Sequence, residues 1–352
     1  MSHEKQAGSA PSEDLGDFRS DTVTRPTFDM RMAMSQAKVG DDVLGHDPTT
    51  QALENMAAEL LGKEAALFMP SGTMCNLVAI QTHTRPGDEV ILEEWAHTAR
   101  FEGGGAGSLA HVQVRTVGSN RGLMDVDTVT GWITSGSEHT PKTALVCVEQ
   151  THNFHGGVIV PPAGIAALCD ACHERDVPVH MDGARLWNAC SALGATPAEL
   201  AATCDSVSVC LSKGLGAPVG SILAGTQAFI EAARWNRKRL GGGMRQSGIL
   251  AAGALVALRD HPERLEADHA RCAHIATELD ALDGFSVDRT AVQTNILFVR
   301  SHSVEADRIV EAAAEQGILL YATGPMQIRI VTHYDVHDRH AERLLDVFRR
   351  LN

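Results

Sequence analysis

The stretch Ser206-Val-Ser-Val-Cys-Leu-Ser-Lys-Gly-Leu-Gly216 decides the fold of this chain. Residues 206–211 have the apolar, β-branched composition of a buried strand, and Lys213 follows at its end. A second run of this kind, residues 177–181, is followed directly by Asp182. A lysine and an aspartate at the ends of two buried strands lose hydration, so each needs a partner or a chemical task.

Pyridoxal phosphate would give both residues a task. Its aldehyde forms a Schiff base with a lysine, and its ring nitrogen pairs with an aspartate. The alternative is that Lys213 points into solvent, as most lysines do. The glycines after each residue favour the cofactor, because Gly183, Gly214 and Gly216 allow the backbone to approach a ligand closely.

Composition excludes several classes of function. The 352 residues are 44% hydrophobic, which is enough for a large core and two lobes. The net charge of −14 argues against a nucleic-acid partner and against an anionic membrane. Aromatic residues make up only 4% of the chain, which gives no support to base stacking. No apolar run reaches the length of a membrane span.

The start of the chain and the cysteines indicate a cytoplasmic protein. Residues 1–14 are polar and contain no apolar signal segment, so we expect a disordered leader there. The eight cysteines are scattered and mostly lie in apolar runs, as expected in a reducing compartment. Cys169 and Cys172 form a Cys-x-x-Cys pair, but no second ligand pair accompanies it, so we predict no metal site.

Alternating strand and helix patterns predict an α/β fold with a mostly parallel sheet. The predicted strands are residues 65–69, 89–92, 144–148, 177–181, 206–211 and 221–224. The helices predicted between several of them are residues 73–84, 162–175 and 196–202. Ligands of such sheets bind at the carboxyl ends of the strands, where Asp182 and Lys213 fall.

The last part of the chain predicts a smaller α+β domain. A buried helix over 248–258 and a further helix over 263–282 lead to a β-α-β-α order in residues 294–299, 306–316, 327–331 and 337–351. We therefore predict a large domain at 15–260, which includes an N-terminal arm, and a small domain at 261–352.

Two segments suit anions. Pro70-Ser-Gly-Thr73 follows a strand and opens a helix, so its free N–H groups and the helix dipole suit a phosphate, with Gly72 allowing close approach and Thr73 adding a hydroxyl. Ser-Gly-Thr is also an ordinary helix cap. Lys238-Arg-Leu-Gly-Gly-Gly-Met-Arg245 combines glycines with basic groups, and an anion site and a flexible solvated loop explain it equally well.

Arginines near the predicted sheet edge are candidates for a ligand carboxylate. Arg185 lies three residues after Asp182 and can turn back toward the ligand; its alternative role is to pair with a surface acid. Arg329 interrupts the apolar strand Gln327-Ile-Arg-Ile-Val331. It either faces solvent harmlessly or offers its planar fork to an α-carboxylate.

A histidine and a glycine-rich run follow the second predicted strand. His97 in Glu94-Trp-Ala-His97 either stacks on a cofactor ring or is an ordinary core histidine. The run Gly105-Ala-Gly-Ser-Leu-Ala110 superficially matches a dinucleotide fingerprint. We reject that match, because residues 98–102 before it have no strand pattern, and this argues against a nicotinamide enzyme.

Taken together, these segments resemble the threonine aldolase family, which belongs to the aspartate-aminotransferase-like, fold-type I pyridoxal phosphate enzymes. The resemblance runs from Asp17 to His333. The blocks that carry it are Arg19-Ser-Asp-Thr-Val-Thr24, Gly40-Asp-Asp-Val43, Pro70-Ser-Gly-Thr-Met74, His180-Met-Asp-Gly-Ala-Arg185, Leu211-Ser-Lys-Gly-Leu215 and Gly241-Gly-Gly-Met-Arg-Gln246.

The resemblance implies roles for the cofactor-binding residues. Lys213 matches the Schiff-base lysine and Asp182 the partner of the ring nitrogen. Gly72 and Thr73 match the phosphate-binding pair. His97 matches the histidine that stacks on the ring.

It also implies roles around the substrate and in assembly. Ser20, Arg185 and Arg329 match the groups that hold the substrate carboxylate. Glu102 and His139 match polar groups near the substrate side chain. Arg245 matches an arginine that reaches the phosphate of a neighbouring subunit. The family is usually a homotetramer built from dimers, with active sites at the dimer interface.

Two segments depart from the family pattern. Thr98-Ala-Arg100 lacks the aromatic residues expected after the histidine. Thr151-His-Asn-Phe-His-Gly-Gly157 carries a phenylalanine and a second histidine in a stretch that varies in the family. Both segments bear on substrate preference more than on reaction type.

The resemblance implies reversible cleavage of L-threonine, L-allo-threonine or a related β-hydroxy-α-amino acid to glycine and an aldehyde. The base for the β-hydroxyl proton stays open among His97, His139 and a water held by Glu102. Alternatives are a β-eliminating lyase or an aminotransferase of the same fold, and a binding protein that kept the fold. Buried Lys213 and Asp182 argue against the last of these.

Overall fold

The computed structural model describes residues 14–352. The predicted leader therefore lies outside the described residues, except for Asp14. The Asp14 carboxylate accepts hydrogen bonds from Arg339 and Arg343 in the last helix.

Fifteen strands form within residues 14–352. They are β1 (Gly16–Asp17), β2 (Ala65–Met69), β3 (Glu89–Glu93), β4 (Gln113–Val117), β5 (Ser119–Asn120), β6 (Leu123–Met124), β7 (Thr143–Glu149), β8 (Val179–Asp182), β9 (Ser206–Cys210), β10 (Ser221–Gly225), β11 (Phe285–Val287), β12 (Ile296–Ser301), β13 (Ile318–Leu319), β14 (Tyr321–Gly324) and β15 (Gln327–Val331).

Fourteen α-helices accompany them in the same part of the chain. They are α1 (Phe28–Ser35), α2 (Pro48–Leu61), α3 (Gly72–His83), α4 (His97–Arg100), α5 (Gly105–Ser108), α6 (Val126–Trp132), α7 (Pro162–His173), α8 (Leu186–Leu193), α9 (Pro197–Ala201), α10 (Gln227–Arg239), α11 (Gly248–Asp260), α12 (Leu265–Asp280), α13 (Ala306–Glu315) and α14 (Asp338–Leu351).

The large sheet has seven strands in the order β2-β10-β9-β8-β7-β3-β4. Only β10 runs antiparallel to its neighbours β2 and β9, while the other four neighbouring pairs are parallel. The predicted mostly parallel sheet is confirmed, and all six predicted strands are present with ends within two residues. The sequence analysis missed β4, because the residues of this edge strand are mostly polar and half exposed.

Helices cover both faces of this sheet, which explains why its strands are apolar on both sides. Side chains of β2 alternate between two cores: Ala66 and Phe68 pack in the core that contains α2, α7, α8 and α11, whereas Leu67 and Met69 pack against α3 and α10. The sequence analysis also missed α10, whose residues are mostly polar and which begins at the cap Thr226.

The C-terminal sheet is antiparallel, in the order β11-β12-β15-β14, with α12, α13 and α14 packed against it. The N-terminal arm contacts this sheet region. Strand β1 pairs in parallel with β13, and Phe18 is wholly buried in the same core. The arm thereby carries Ser20 and Asp21 from the small domain toward the large sheet.

No helix within residues 14–352 combines the length and the apolar composition needed to cross a membrane.

Candidate functional site

The carboxyl ends of four neighbouring parallel strands bring the predicted site residues together. Strands β3, β7, β8 and β9 are adjacent in the sheet, so the segments that follow them share one edge. Asp182 is the last residue of β8, Lys213 follows β9, and His97 follows β3. Strand β10 is antiparallel to both β2 and β9, so β2 runs in the same direction as β9. The first turn of α3, with Gly72 and Thr73, follows β2 and therefore lies at the same edge of the sheet.

Lys213 lies in a turn that glycine makes possible. The Lys213 carbonyl accepts hydrogen bonds from the N–H of Gly216 at 2.8 Å and from the hydroxyl of Thr24 at 3.1 Å. Gly216 has a φ of +77°, and a Cβ there would collide with the Tyr334 ring. Within residues 14–352 the Lys213 ammonium makes no ion pair, so its amine is available to a ligand.

Asp182 is a buried carboxylate held by neutral groups. It is 5% exposed, and its oxygens accept hydrogen bonds from the Asn76 amide at 2.9 Å and from the Ala184 N–H at 3.1 Å. No lysine or arginine among the described residues pairs with it. A buried carboxylate without a cation suits a protonated ring nitrogen, which would supply the missing positive charge.

Asn76 fixes the orientation of the Asp182 carboxylate. This buried residue of α3 also donates to Glu102 at 2.8 Å, and its carbonyl accepts from the Ser208 hydroxyl at 2.7 Å. The His180 ring approaches the same carbonyl at 3.2 Å. Burial lowers the pKa of His180 to about 3, so this ring is neutral and adds no charge near Asp182.

His97 and Glu102 form a hydrogen-bonded pair. Nδ1 of His97 lies 3.0 Å from a carboxylate oxygen of Glu102. Burial disfavours the charged form of His97, but the hydrogen bond that Nδ1 donates to Glu102 and the charge of Asp182 outweigh it, so the pKa of His97 is raised. Burial, together with the charge of Asp182, raises the pKa of Glu102. The pair is therefore suited to hold or move one proton.

The first turn of α3 fits an anion. Ser71 caps the helix by accepting the N–H of Met74, and the N–H groups of Gly72 and Thr73 have no partner among the described residues. A Cβ at Gly72 would lie 2.8 Å from the Cys210 sulfur, so only glycine allows this approach of α3 to β9. Thr73 is exposed beside these groups.

Arg185 and Arg329, hereafter the arginine pair, meet at one amide. Each arginine donates a hydrogen bond from Nη1 to the side-chain oxygen Oδ1 of Asn153 at 3.3 Å. Arg185 also makes two hydrogen bonds to Asp21, at 2.7 and 2.8 Å, which accounts for its burial. The alternative prediction that Arg185 pairs with a surface acid is wrong, because its partner Asp21 is 0% exposed.

Among the described residues Arg185 makes an ion pair and Arg329 does not. Asp21 balances Arg185, and the charge of Arg185 holds the pKa of Asp21 well below its usual range despite burial. Arg329 donates only to neutral carbonyl oxygens, those of Asn153 and Arg19, and its buried Nε has no partner among the described residues. Burial and the charge of Arg185 lower the pKa of Arg329 to about 10. An incoming carboxylate would supply the missing charge.

One carboxylate ties the arginine pair to His97. Glu149, the last residue of β7, accepts hydrogen bonds from the backbone N–H of His97 at 2.7 Å and from the backbone N–H of Asn153 at 2.8 Å. The hydroxyl of Ser20 belongs to the same N-terminal arm as Asp21 and accepts hydrogen bonds from Thr22. A ligand carboxylate at the arginine pair would thus lie near the His97–Glu102 pair.

Two predicted residues lie apart from the others within one chain. The His139 side chain is 83% exposed, and its ion-pair partner is the neighbouring Glu138. Arg245 is 61% exposed and donates to Asp41 at 2.9 Å. Neither is held by the residues at the sheet edge.

The sequence analysis missed Asp21, Asn76, Asn153 and Glu149. A signal existed for Asn76, because an amide inside the apolar helix Gly72–His83 must find buried partners. Asp21 and Asn153 stand within the blocks quoted above, but nothing in their spacing shows that they share Arg185.

The chain resembles proteins that are already known. A family model for beta-eliminating lyases matches residues 17–302. The low-specificity L-threonine aldolase 1 of Arabidopsis thaliana is 43% identical over 341 residues, which are 95% of each chain. The low specificity L-threonine aldolase of Escherichia coli strain K12 is 44% identical over 322 residues, 91% of this chain and 94% of its own. The solved threonine aldolase of Leishmania major has a TM-score of 0.83 at 22% identity and covers 96% of this chain and 99% of its own.

Proposed function

The chain belongs to the low-specificity L-threonine aldolases of the beta-eliminating lyase family, and from this membership we propose its reaction. It cleaves the Cα–Cβ bond of L-threonine, L-allo-threonine and related β-hydroxy-α-amino acids, and glycine and an aldehyde leave. The reaction is reversible, and because it breaks a carbon–carbon bond without hydrolysis or oxidation, the enzyme is a carbon–carbon lyase.

The observation that carries this proposal is that Arg329, beside Arg185, makes no ion pair among the described residues. The Glu149 carboxylate links the pair to His97, because it accepts the backbone N–H of His97 and that of Asn153, the residue that contacts both arginines. A substrate α-carboxylate neutralises Arg329, while Ser20 adds a hydroxyl at the same end. This contact fixes the rotation of the substrate, so the Cα–Cβ bond is held in the orientation in which it breaks.

The cofactor is pyridoxal phosphate, and the site fits it. Lys213 would bind its aldehyde carbon, Asp182 its ring nitrogen, and Gly72 and Thr73 its phosphate. His97 would stack on its ring. When bound, the cofactor supplies an electron sink for the bond that breaks. Buried Asp182, which pairs with no lysine or arginine among the described residues, is the feature that supports this fit.

The His97–Glu102 pair moves the proton of the substrate hydroxyl in this proposal. Glu102 holds Nδ1 of His97, which leaves Nε2 for the substrate side. A water held by Glu102 is the alternative base. His139 is the third candidate, and its exposure means that a neighbouring subunit would have to bring it near a substrate.

The test is product analysis with purified protein and added pyridoxal phosphate. Incubation with L-threonine releases equal amounts of acetaldehyde and glycine, and phenylserine releases benzaldehyde. Release of ammonia and a 2-oxo acid instead would assign the chain to β-elimination. Turnover that requires a 2-oxo acid would assign it to transamination.

We also propose that the protein assembles as a homotetramer of two dimers, with Arg245 reaching the phosphate of a neighbouring subunit. Phe28, Leu44 and Trp235 are each at least 65% exposed, and Leu44 and Trp235 line one surface groove. Large apolar side chains gathered in this way suit a contact between copies. Light scattering on the eluted protein would reveal the mass, and a monomer with full activity contradicts the proposal.

The eight cysteines are all buried free thiols. This supports a reducing, cytoplasmic location, which cell fractionation would test.

A further inference from the structure

A second cluster of ligand-type side chains lies behind the candidate site, in the turn that follows β7. His152 and His155 flank this turn, and Glu93 is the last residue of β3. Nε2 of His152 lies 2.9 Å from one carboxylate oxygen of Glu93, and Nε2 of His155 lies 3.3 Å from the other. The Ser119 hydroxyl is 2.7 Å from Glu93 and 3.5 Å from His155.

We propose that Glu93, His152 and His155 bind a divalent transition-metal ion, for which Zn²⁺ is the best fit. Two imidazoles and one carboxylate are a donor set that suits this class of ion. The three side chains offer ligand atoms that all lie within 4.8 Å of one another. The sequence alone predicted no metal site, because the Cys169–Cys172 pair has no second ligand pair and nothing local links His152 and His155 to Glu93.

The spacing of the donor atoms fits an ion of this size. Ligand atoms around a tetrahedral Zn²⁺ with bonds of about 2.05 Å lie about 3.4 Å apart. The donor atoms of His152 and His155 already lie 2.9 and 3.3 Å from Glu93. These contacts are to different oxygens of Glu93, and the three ligand atoms lie within 4.8 Å of one another, so their separations would change by at most about 1.4 Å to admit an ion. Three protein ligands leave the fourth position to a water beside Ser119.

The surroundings hold the ligands in place. The Trp95 N–H donates to Glu93 at 2.6 Å. Gly122 packs against the His152 ring so closely that a Cβ there would lie 2.8 Å from it. The contact with Glu93 uses Nε2 of His152, the nitrogen that would bind the ion, while its Nδ1 is buried without a hydrogen-bond partner among the described residues.

The site has an entry path and a structural consequence. Glu93 and His152 are at most 1% exposed, but the His155 side chain is 25% exposed and lines a cleft beside Phe298. The ion would pin the turn that carries Asn153, whose carbonyl holds the arginine pair. It would also hold Phe154, whose ring stacks on Phe101 at 4.1 Å.

Metal titration of the holoenzyme tests the proposal. Protein saturated with pyridoxal phosphate is dialysed against a chelator and then titrated with Zn²⁺ in a calorimeter, and in parallel with Co²⁺, whose visible bands report coordination geometry. We expect one ion per chain. His155→Gln keeps a hydrogen-bond donor near Glu93 but loses the imidazole, so its affinity falls by at least about tenfold.

The matched control is His274→Gln. His274 is half exposed and lies 3.5 Å from Glu342, so it offers a similar histidine–carboxylate pair without the third ligand. Its variant binds Zn²⁺ as the wild type does. Equal binding by His155→Gln, or no binding by the wild type, overturns the proposal and leaves the cluster as a buried ion pair.

Hydrogen exchange gives a second readout that is independent of catalysis. Zn²⁺ slows amide exchange in residues 151–157 of the wild type, because the ion links the turn to β3. The His155→Gln protein shows no such slowing. Slowing of equal size in both proteins would also overturn the proposal.

Discussion

Two neighbouring regions of the candidate site differ in how much of the chain builds each of them. Asp182 and Lys213 follow adjacent strands of one sheet, and Gly72 opens a helix beside them. The arginine pair instead needs the N-terminal arm, the turn after β7, the start of α8 and a strand of the small domain. The first region rests on one rigid layer, and the second depends on contacts between segments as far as 310 residues apart.

This difference separates the expected effects of substitutions. Changes in the first region should remove chemistry, because its residues would touch the cofactor directly. Changes at the arginine pair should weaken binding of the amino acid and leave the cofactor in place. Four substitutions distinguish these two outcomes.

Lys213→Ala should abolish turnover, because no other described side chain is placed to bind the cofactor aldehyde. Aldehyde release falls below detection, and the visible absorbance of the bound cofactor disappears. Lys142→Ala, which changes a lysine in the loop before β7, retains both signals. A colourless wild type in the presence of pyridoxal phosphate would contradict the cofactor assignment itself.

Arg329→Ala should raise KM for L-threonine by about 100-fold, or about 2.7 kcal/mol, since it removes the unneutralised charge at the arginine pair. Binding of pyridoxal phosphate, followed by its absorbance, should stay the same. Loss of the cofactor instead would move Arg329 into the first region and break the comparison.

Asn153→Asp should raise KM for L-threonine more than Asn153→Ala does, because aspartate adds a negative charge. Alanine removes two hydrogen bonds and raises KM by about tenfold. Aspartate keeps acceptor oxygens but neutralises the surplus charge of the arginine pair, so KM should rise further. Thermal unfolding should show that the aspartate variant is the more stable of the two. Equal KM values would mean that the surplus charge does not attract the substrate.

Glu102→Gln should shift the pH profile of kcat/KM. The carboxylate favours the imidazolium form of His97, so its removal lowers the pKa of His97. If neutral His97 accepts the substrate proton, activity rises with pH through this pKa, and the acidic limb therefore moves to lower pH in the variant. Glu94→Gln, at an exposed position near by, leaves the limb in place. An unmoved limb in Glu102→Gln would assign the proton to another group.

Local patterns were sufficient for the elements that form one layer. Strands β8 and β9 are buried on both faces, so their apolar composition marked them, and the polar residues at their ends stood out. The same reasoning missed β4 and α10, since a half-exposed edge strand and a helix with a mostly polar sequence give only a weak apolar signature. The failed glycine fingerprint was also rejected correctly, because residues 97–100 form a helix rather than a strand.

The partners of the site residues were beyond the reach of local patterns. Nothing in the sequence near Arg185 identifies Asp21 as its partner, 164 residues away. Asn153 lies in the turn after β7. The direction of its side chain depends on the hydrogen bond from its backbone N–H to Glu149, at the end of that strand. The Glu93–His152–His155 cluster likewise forms only because β3 and β7 are neighbours in the sheet.

Local patterns in the chain were enough to predict the fold class and the position of Lys213 and Asp182 at strand ends. These features follow from burial and periodicity, which act over a few residues, while the quoted blocks carry the resemblance to the threonine aldolases. Which charges are neutralised depends on the packed structure. It paired Asp21 with Arg185, left Arg329 without an anion, and brought Asn153 between them. Electrostatic balance depends on distances in space, and the chain closes those distances only when the arm, the sheet and the small domain pack together.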